Sequence, residues 1–303
     1  MKSMRNTLRL PKACVLTLAF ILPLFCVSCQ AESVSTSVPT VLPSTLIGTW
    51  QVAEVHIDQG ESHWNRTSDS EYNVHKFLGR VFSFTPQVVT TNAPDDKRCD
   101  NPKIIVHRTT AANVVGTSIA SRGFFPQPPT PKDFQLPLSD NAPIEVLSLR
   151  CKDGLFGKNL GGGQDPDVGI KGVWLIVLNK EQLALRWYDE TILILKRLPE
   201  HTKPVASFDC TKAATEVEKT ICESVALASY DQSVAQTYKH AMEYYKTKKN
   251  TTSEIAELKK SQKQWLTQRD VCGTDVVCLE KLMEDRIETM DYEVALYGYN
   301  ENR

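Results

Sequence analysis

Four cysteines near the end of the chain bracket a long stretch of helical sequence, and they constrain the fold more than any other feature. They are Cys210, Cys222, Cys272 and Cys278. Thr215 and Glu218 form the T-x-x-E pattern of a capping box, which marks a helix start. Apolar residues then recur every three to four positions as far as Met290. The segment therefore predicts a small bundle of about three helices, cross-linked by disulfides.

The chain has nine cysteines in all. Cys14 and Cys26 lie in the N-terminal leader described below, Cys29 comes directly after it, and six more follow. An even number in an exported protein predicts three disulfides. The spacings favour the local pairs Cys210–Cys222 and Cys272–Cys278 over crossed pairings. If these four pair among themselves, exclusion leaves Cys99–Cys151. Zinc is the less favoured alternative, because Cys272 and Cys278 are too far apart for a CxxC knuckle and no histidine lies close to either. We therefore expect no metal.

The first residues are typical of a bacterial secretory leader. Lys2, Arg5, Arg9 and Lys12 make a basic start, and an apolar run over 15–27 follows. Pro23 interrupts this run, which is too short for a convincing membrane span. We predict a signal peptide over residues 1–28.

The end of the leader, Val27-Ser28-Cys29-Gln30, resembles a bacterial lipobox. The resemblance implies lipidation of Cys29, and Ser/Thr/Pro-rich residues 29–45 then predict an extended tether. Because Gln30 is not the Asp that retains lipoproteins in the inner membrane, the resemblance implies anchorage on the periplasmic side of the outer membrane. Cys26 departs from the lipobox pattern. Ordinary cleavage after Ala31, giving a periplasmic or secreted protein, therefore stays open.

Residues 46–198 have the pattern of an antiparallel β domain. Alternating or continuous apolar runs predict strands over 50–57, 81–84, 104–107, 144–151, 173–178, 183–188 and 191–195. No convincing amphipathic helix interrupts them, which argues against a parallel βαβ sheet. The opening Gly48-x-Trp50 resembles that of lipocalins, and Arg197 is placed to pack over the tryptophan.

The predicted fold is therefore multidomain, β then α. An N-terminal antiparallel β-barrel or sandwich, lipocalin-like by its opening, is followed by the disulfide-stapled helical bundle. A linker over 199–207, with Pro204, separates the β domain from a helical domain over 208–303.

Several short motifs in the helical region resemble the LprI-like lysozyme-inhibitor domain. The match covers about residues 205–290 and includes Phe-Asp-Cys at 208–210, Ser-Gln-x-x-Trp at 261–265 and Arg-Asp-x-Cys at 269–272. The family-motif residues, for which we expect structural roles, are Leu227, Asp231, Tyr238, Gln262, Trp265, Arg269 and Arg286. Tyr230 departs from the family, which usually has Leu there. The resemblance implies an exported helical domain, in some members a lipoprotein, that inhibits lysozyme by binding it.

No catalytic set is apparent. The six histidines are scattered, at His56, His63, His75, His107, His201 and His240. No long block of like charge suggests nucleic-acid binding. We therefore expect an exported envelope protein that binds lysozyme or another muramidase, that is not an enzyme, that needs no cofactor and that meets the membrane only through a lipid. The alternative is an envelope protein whose β domain binds a small apolar ligand, with the helical module as a structural or interaction appendage.

Overall fold

Short strands in the first two thirds of the chain build one antiparallel sheet, as seen in a computed structural model. The structure describes residues 35–36, 38–59, 76–119, 128–160, 169–188 and 190–301. The signal peptide, Cys29, His63 and His75 lie outside them. From Ser33 onward the chain forms one compact unit.

Twelve strands make up the sheet. Their bounds are β1 Ser35–Thr36, β2 Thr40–Val41, β3 Gly48–His56, β4 Val81–Phe84, β5 Val88–Thr91, β6 Arg98–Asp100, β7 Lys103–Thr110, β8 Pro143–Cys151, β9 Gly154–Leu155, β10 Trp174–Asn179, β11 Gln182–Arg186 and β12 Ile192–Arg197. The main path runs β1-β7-β8-β10-β11-β12-β3-β4-β5-β6, with β2 beside β7 and β9 beside β8. All pairings are antiparallel, as the alternating pattern predicted.

Alternation along the strands gives the sheet two apolar faces. The inner face buries a large aromatic and aliphatic core around Trp50, Phe82, Phe84 and Trp187. Phe82 and Trp187 meet edge to face, with ring centroids 5.1 Å apart, a favoured geometry for aromatic rings. The inside of the curved sheet is therefore filled by side chains.

A short helix, α1 (Ala111–Ser118), covers the outer face of the sheet, and sequence reasoning missed it. Thr110 caps its N-terminus by accepting a hydrogen bond from the Asn113 amide. Val114 and Val115 bury against the outer-face residues of β8, β10, β11 and β12. Trp174 Nε1 donates to Ser118 Oγ at 3.0 Å and fixes the helix to β10.

The barrel alternative is wrong, because the sheet does not close and is sandwich-like. Its main path ends at β1 and β6, strands of two and three residues within the described part of the chain. Closure needs a continuous hydrogen-bonded ladder between end strands. Here β6 instead reaches β8 through the disulfide Cys99–Cys151. The predicted contact of Arg197 with Trp50 is present, since the guanidinium lies 4.0 Å from the ring centroid of the tryptophan.

Helices make up the last third of the chain. A 3-10 turn at Cys210–Lys212 precedes α2 (Glu216–Glu223), α3 (Val225–Thr247), α4 (Thr252–Asp270) and α5 (Val276–Glu301). The capping box of Thr215 and Glu218 is formed in full at the start of α2. No helix in the described ranges is long and apolar enough to cross a membrane.

The structure divides the first predicted helix in two at Ser224. This residue is extended, and its side chain accepts a hydrogen bond from the Leu227 amide, so that it caps α3. A bend here lets α2 and α3 both bury apolar residues in one core, which includes Val217, Ile221 and Leu227. The antiparallel sheet followed by a disulfide-bonded helical region is the predicted fold class, and it is confirmed.

Candidate functional site

The sheet docks directly onto the helical region through a cluster of polar contacts around Arg80. This side chain is fully buried, and its guanidinium lies 3.7 Å from the ring centroid of Tyr230 on α3. Arg80 Nη1 donates to Ser229 Oγ at 3.3 Å. The Tyr230 hydroxyl donates to the carbonyl of Asn92, which follows β5. Asn92 Nδ2 in turn donates to the Ala226 carbonyl at 3.2 Å. The departure at Tyr230 from the family pattern is therefore a contact to the sheet.

Acidic side chains on α5 lie near two cationic side chains of the sheet region, Arg80 and Lys97. Burial lowers the pKa of Arg80 to about 10, while Glu284 and Glu280 favour its charged form. Lys97 Nζ lies 2.9 Å from Glu284 Oε2. Burial also raises the pKa of Glu280, because a carboxylate loses hydration there. Acidic residues of α5 therefore help to bind the helical region to the sheet region.

Asp231 and Arg269 join α3 to α4 and to the linker. Arg269 Nη1 lies 3.9 Å from Asp231 Oδ1, and both side chains are buried. Asp231 Oδ2 accepts a hydrogen bond from the Ser207 amide at 2.6 Å. Arg269 also pairs with exposed Asp270 at 2.9 Å. These contacts give Asp231 and Arg269 an organising role inside the bundle.

Trp265 and Leu227 are core residues. Trp265 is buried, and its Nε1 donates to the Leu282 carbonyl of α5 at 3.1 Å. The Arg269 guanidinium lies 5.6 Å from its ring centroid. Leu227 is fully buried at the start of α3. A buried indole whose N–H is satisfied packs a core and leaves no polar group for a partner.

Gln262 and Arg286 meet on the side of the bundle away from the sheet. Arg286 Nε donates to Gln262 Oε1 at 2.9 Å, and its Nη2 donates to Ser261 Oγ at 3.1 Å. Burial lowers the pKa of Arg286, and Tyr238 is among the groups that favour its charged form. Three family-motif residues, Tyr238, Gln262 and Arg286, are thereby brought together from three helices.

An open groove between α3 and α4 lies at this meeting point, and we call it the α3–α4 groove. It is lined by Ala235, Tyr238, Lys259, Lys260, Gln262, Lys263, Gln264 and Leu266. Lys259, Gln262, Lys263 and Leu266 follow the i, i+3, i+4, i+7 spacing that places residues on one helix face. Lys260 pairs with Glu257 at 3.4 Å, whereas Lys259 and Lys263 make no ion pair within the described ranges. The sequence identified the motif residues but did not predict this groove. Neither helix sequence alone indicates which of its faces lies against the other helix.

Three disulfides staple the chain. They join Cys99 to Cys151, Cys210 to Cys222 and Cys272 to Cys278, with Cα–Cα distances of 5.1, 5.7 and 5.6 Å. Cys210–Cys222 joins the 3-10 turn to α2. Cys272–Cys278 joins the loop after α4 to the first turn of α5. Among the residues the structure describes, no group of three or more His, Cys, Asp or Glu side chains is placed to hold a metal ion.

One serine–histidine contact resembles part of a catalytic set. His107 Nε2 lies 2.8 Å from Ser148 Oγ, on neighbouring strands β7 and β8. Ser148 is only 2% exposed, and burial lowers the pKa of His107. His107 Nδ1 has no hydrogen-bond partner in the described part of the chain, so no carboxylate orients the ring. The pair therefore lacks both the access and the third group that nucleophilic catalysis requires.

Comparison with known proteins matches the helical region alone. Residues 210–296 match the family model described as "Lysozyme inhibitor LprI". The proteins called "Lipoprotein LprI" in Mycobacterium bovis and in two strains of Mycobacterium tuberculosis are each 30% identical over 91 residues. The aligned part covers 28% of this chain and 42% of each relative, so it spans less than half of their length. No solved structure matches significantly.

These matches fall on the segment that contains the α3–α4 groove and all seven family-motif residues. The cysteine pairs at both ends of the bundle and the buried Asp231, Trp265 and Arg269 all lie inside residues 210–296. The sheet lies outside the match. The predicted resemblance to the LprI family is therefore confirmed for residues 210–296, which are the part of the chain that the family model matches.

Proposed function

We propose that this protein is an exported envelope protein that binds and inhibits lysozyme or a related muramidase. The observation that carries the proposal is the LprI match over residues 210–296, on a bundle with an open groove that two of the family-motif residues, Tyr238 and Gln262, help to line. The sheet interior is packed with Trp50, Phe82, Phe84 and Trp187, which argues against a small apolar ligand there.

Inhibition would act by occlusion and would involve no chemistry of the inhibitor itself. Muramidases cleave the glycan with two carboxyl groups set on either side of the bond. A rigid protein surface seated over that cleft keeps the polysaccharide out. Rigidity helps, because a partner that is already ordered loses less conformational entropy when it binds. The helix-to-helix contacts and disulfides of the bundle supply that rigidity.

The proposal includes lipid anchorage. The lipobox-like end of the leader and the name of the mycobacterial relatives support a lipoprotein acylated at Cys29. Three disulfides fit an oxidising compartment. We propose the periplasmic side of the outer membrane as the location. A Cys29→Ala variant should lose incorporation of radiolabelled fatty acid. Labelling equal to that of the unchanged protein would contradict lipidation at this residue.

We further propose that the chain is organised as a leader over 1–28, a tether over 29–45, a β domain over 46–198, a linker over 199–207 and a helical domain over 208–303. The tether is not free of the sheet, because its short strands β1 and β2 pair with β7. The composition shift at Pro204 and the LprI match support the last boundary.

Inhibition is tested with the exported, purified protein and a panel of animal, phage and bacterial lysozymes. Two substrates are used in parallel, whole cell walls and a soluble chitooligosaccharide. We expect slower cleavage of both by at least one enzyme, because an occluded cleft accepts neither substrate. Slower lysis of walls alone would mean that the protein coats the wall. No inhibition of any enzyme at micromolar excess would overturn the proposed function.

A further inference from the structure

We propose that the α3–α4 groove is the inhibitory surface and that it docks on the acidic cleft of a muramidase, with Lys259 and Lys263 set against the paired catalytic carboxylates. This inference rests on the proposed function and adds the binding face and the kind of group that it recognises.

The groove lies on the side of α3 that the sheet leaves free. Ser229 and Ser233 face the sheet, since Ser229 Oγ accepts from Arg80 and Ser233 Oγ donates to the Leu78 carbonyl at 3.1 Å. At about 100° per residue, Ala235 and Tyr238 point to roughly the opposite side of the same helix. The hydrogen bonds and ion pairs between sheet and helices run to α3 and α5 within the described ranges. A partner at the groove therefore meets no competition from the sheet.

Charge is distributed unevenly over the bundle. Residues 239–263, which include the end of α3 and most of α4, hold seven lysines against three glutamates. Helix α5, Val276–Glu301, holds seven acidic residues against two basic ones. The acidic side is partly matched inside the molecule, because Glu284 pairs with Lys97. Within the described part of the chain, Lys259 and Lys263 of the basic side have no such ion-pair partner. An acidic surface complements such a basic one.

The walls of the groove suit a protein partner. Leu266 is 37% exposed at one end, and half-buried Tyr238 offers an aromatic ring with a polar tip. Gln262 Oε1 accepts a hydrogen bond from Arg286 Nε at 2.9 Å, which fixes the position of the Gln262 side chain in the groove wall. An aromatic and an aliphatic contact flanked by charges is a common composition for the centre of a protein–protein interface.

A lysine ammonium beside catalytic carboxylates would disable a muramidase in two ways. It would occupy the space of the scissile sugar. It would also favour the ionised form of the general acid, which must be protonated to act. Two lysines four residues apart on one helix face can reach two carboxyl groups that lie about 5–9 Å from each other.

The test compares two double variants of the exported protein that change net charge equally. Lys259→Glu/Lys263→Glu reverses the groove charge. Lys152→Glu/Lys171→Glu reverses two exposed lysines of the sheet region. We measure affinity for an inhibited lysozyme by calorimetry, and cleavage of a soluble chitooligosaccharide at low and high salt. The groove variant should bind about tenfold more weakly or worse, while the control stays within about threefold. Lys259→Gln/Lys263→Gln, which removes charge without reversing it, should lie between them.

The outcomes separate the two proposals. If the protein inhibits and the folded groove variants bind as tightly as the unchanged protein, the groove is not the site and the inhibitor proposal stands. An equal loss of affinity in the groove and control variants would show that long-range charge steers binding. That result would also overturn the proposal that the groove is the inhibitory surface. If the unchanged protein inhibits no enzyme, both proposals fall. Circular dichroism and the unfolding midpoint verify folding of each variant.

Discussion

At the scale of single residues, Asp291 shows how burial alters the pKa of a carboxyl group. The side chain lies on α5 and is 5% exposed, and its Oδ2 has no hydrogen-bond partner in the described part of the chain. Burial raises its pKa to about 7, with Lys76 opposing and Glu288 adding to the shift. The folded protein therefore holds this proton more tightly than the unfolded chain. The contribution of this group to the free energy of unfolding is therefore fully present below about pH 4, and it is lost as the pH rises through about 7.

Asp291→Asn should stabilise the protein at alkaline pH, because the amide imitates the protonated acid and cannot ionise. We expect the advantage of the variant over the unchanged protein to grow between pH 4 and pH 8 by on the order of 3 kcal/mol. Urea unfolding at several pH values measures it. Asp285→Asn, at an exposed carboxylate on the same helix, is the matched control. A difference that does not vary with pH would contradict the assigned role of burial.

At the scale of secondary-structure elements, strands predicted by alternation are present with shifted ends, whereas short or non-periodic elements escaped prediction. Strand β5 has two threonines among its four residues, and β6 has one apolar residue among three, so neither gives a clear apolar signal. Helix α1 contains Gly116 and the β-branched Val114, Val115 and Thr117, which are poor helix formers. It is helical because its apolar side packs on the outer sheet face, so that tertiary contact overrides local preference.

The disulfides join elements across very different lengths of chain. Cys99–Cys151 links β6 to β8 over 52 residues, whereas the other two bonds span 12 and 6. In the chain-entropy model these loops are worth about 4, 3 and 2 kcal/mol respectively.

Replacing the pair Cys99 and Cys151 by alanine should therefore destabilise the protein most among the three bonds. The fully buried position of Cys99 adds a packing loss. Urea unfolding of the three double-alanine variants under non-reducing conditions gives the order. If removal of Cys272–Cys278 costs more than removal of Cys99–Cys151, loop length is not what determines the contribution of these bonds.

At the scale of the whole molecule, the contacts around Arg80 couple the sheet to the helical region. Tyr230 stacks on the Arg80 guanidinium and hydrogen-bonds to the carbonyl after β5. Removing the ring and hydroxyl would leave a buried charge with fewer partners, a change that typically costs several kcal/mol.

Tyr230→Leu, which keeps an apolar side chain but removes the ring and the hydroxyl, should weaken this coupling. We expect the unchanged protein to unfold in one calorimetric transition. The variant should lose about 2–4 kcal/mol and show an earlier, separate transition of one region. Tyr292→Leu, at a 65% exposed tyrosine of α5, is the control and should unfold like the unchanged protein. An unaltered transition in Tyr230→Leu would show that the contact does not couple the two regions.

The sequence by itself determined the longer strands and the helical character of the last third, where α2 is capped and which family the helical region resembles. These properties depend on neighbours a few residues apart, such as Thr215 with Glu218, and on side-chain periodicity. Only the tertiary structure decided that the sheet stays open, that Tyr230 meets Arg80, and that Tyr238, Gln262 and Arg286 come together from three helices. Each of these is a contact between residues far apart in the chain, and local periodicity carries no information on which distant faces meet.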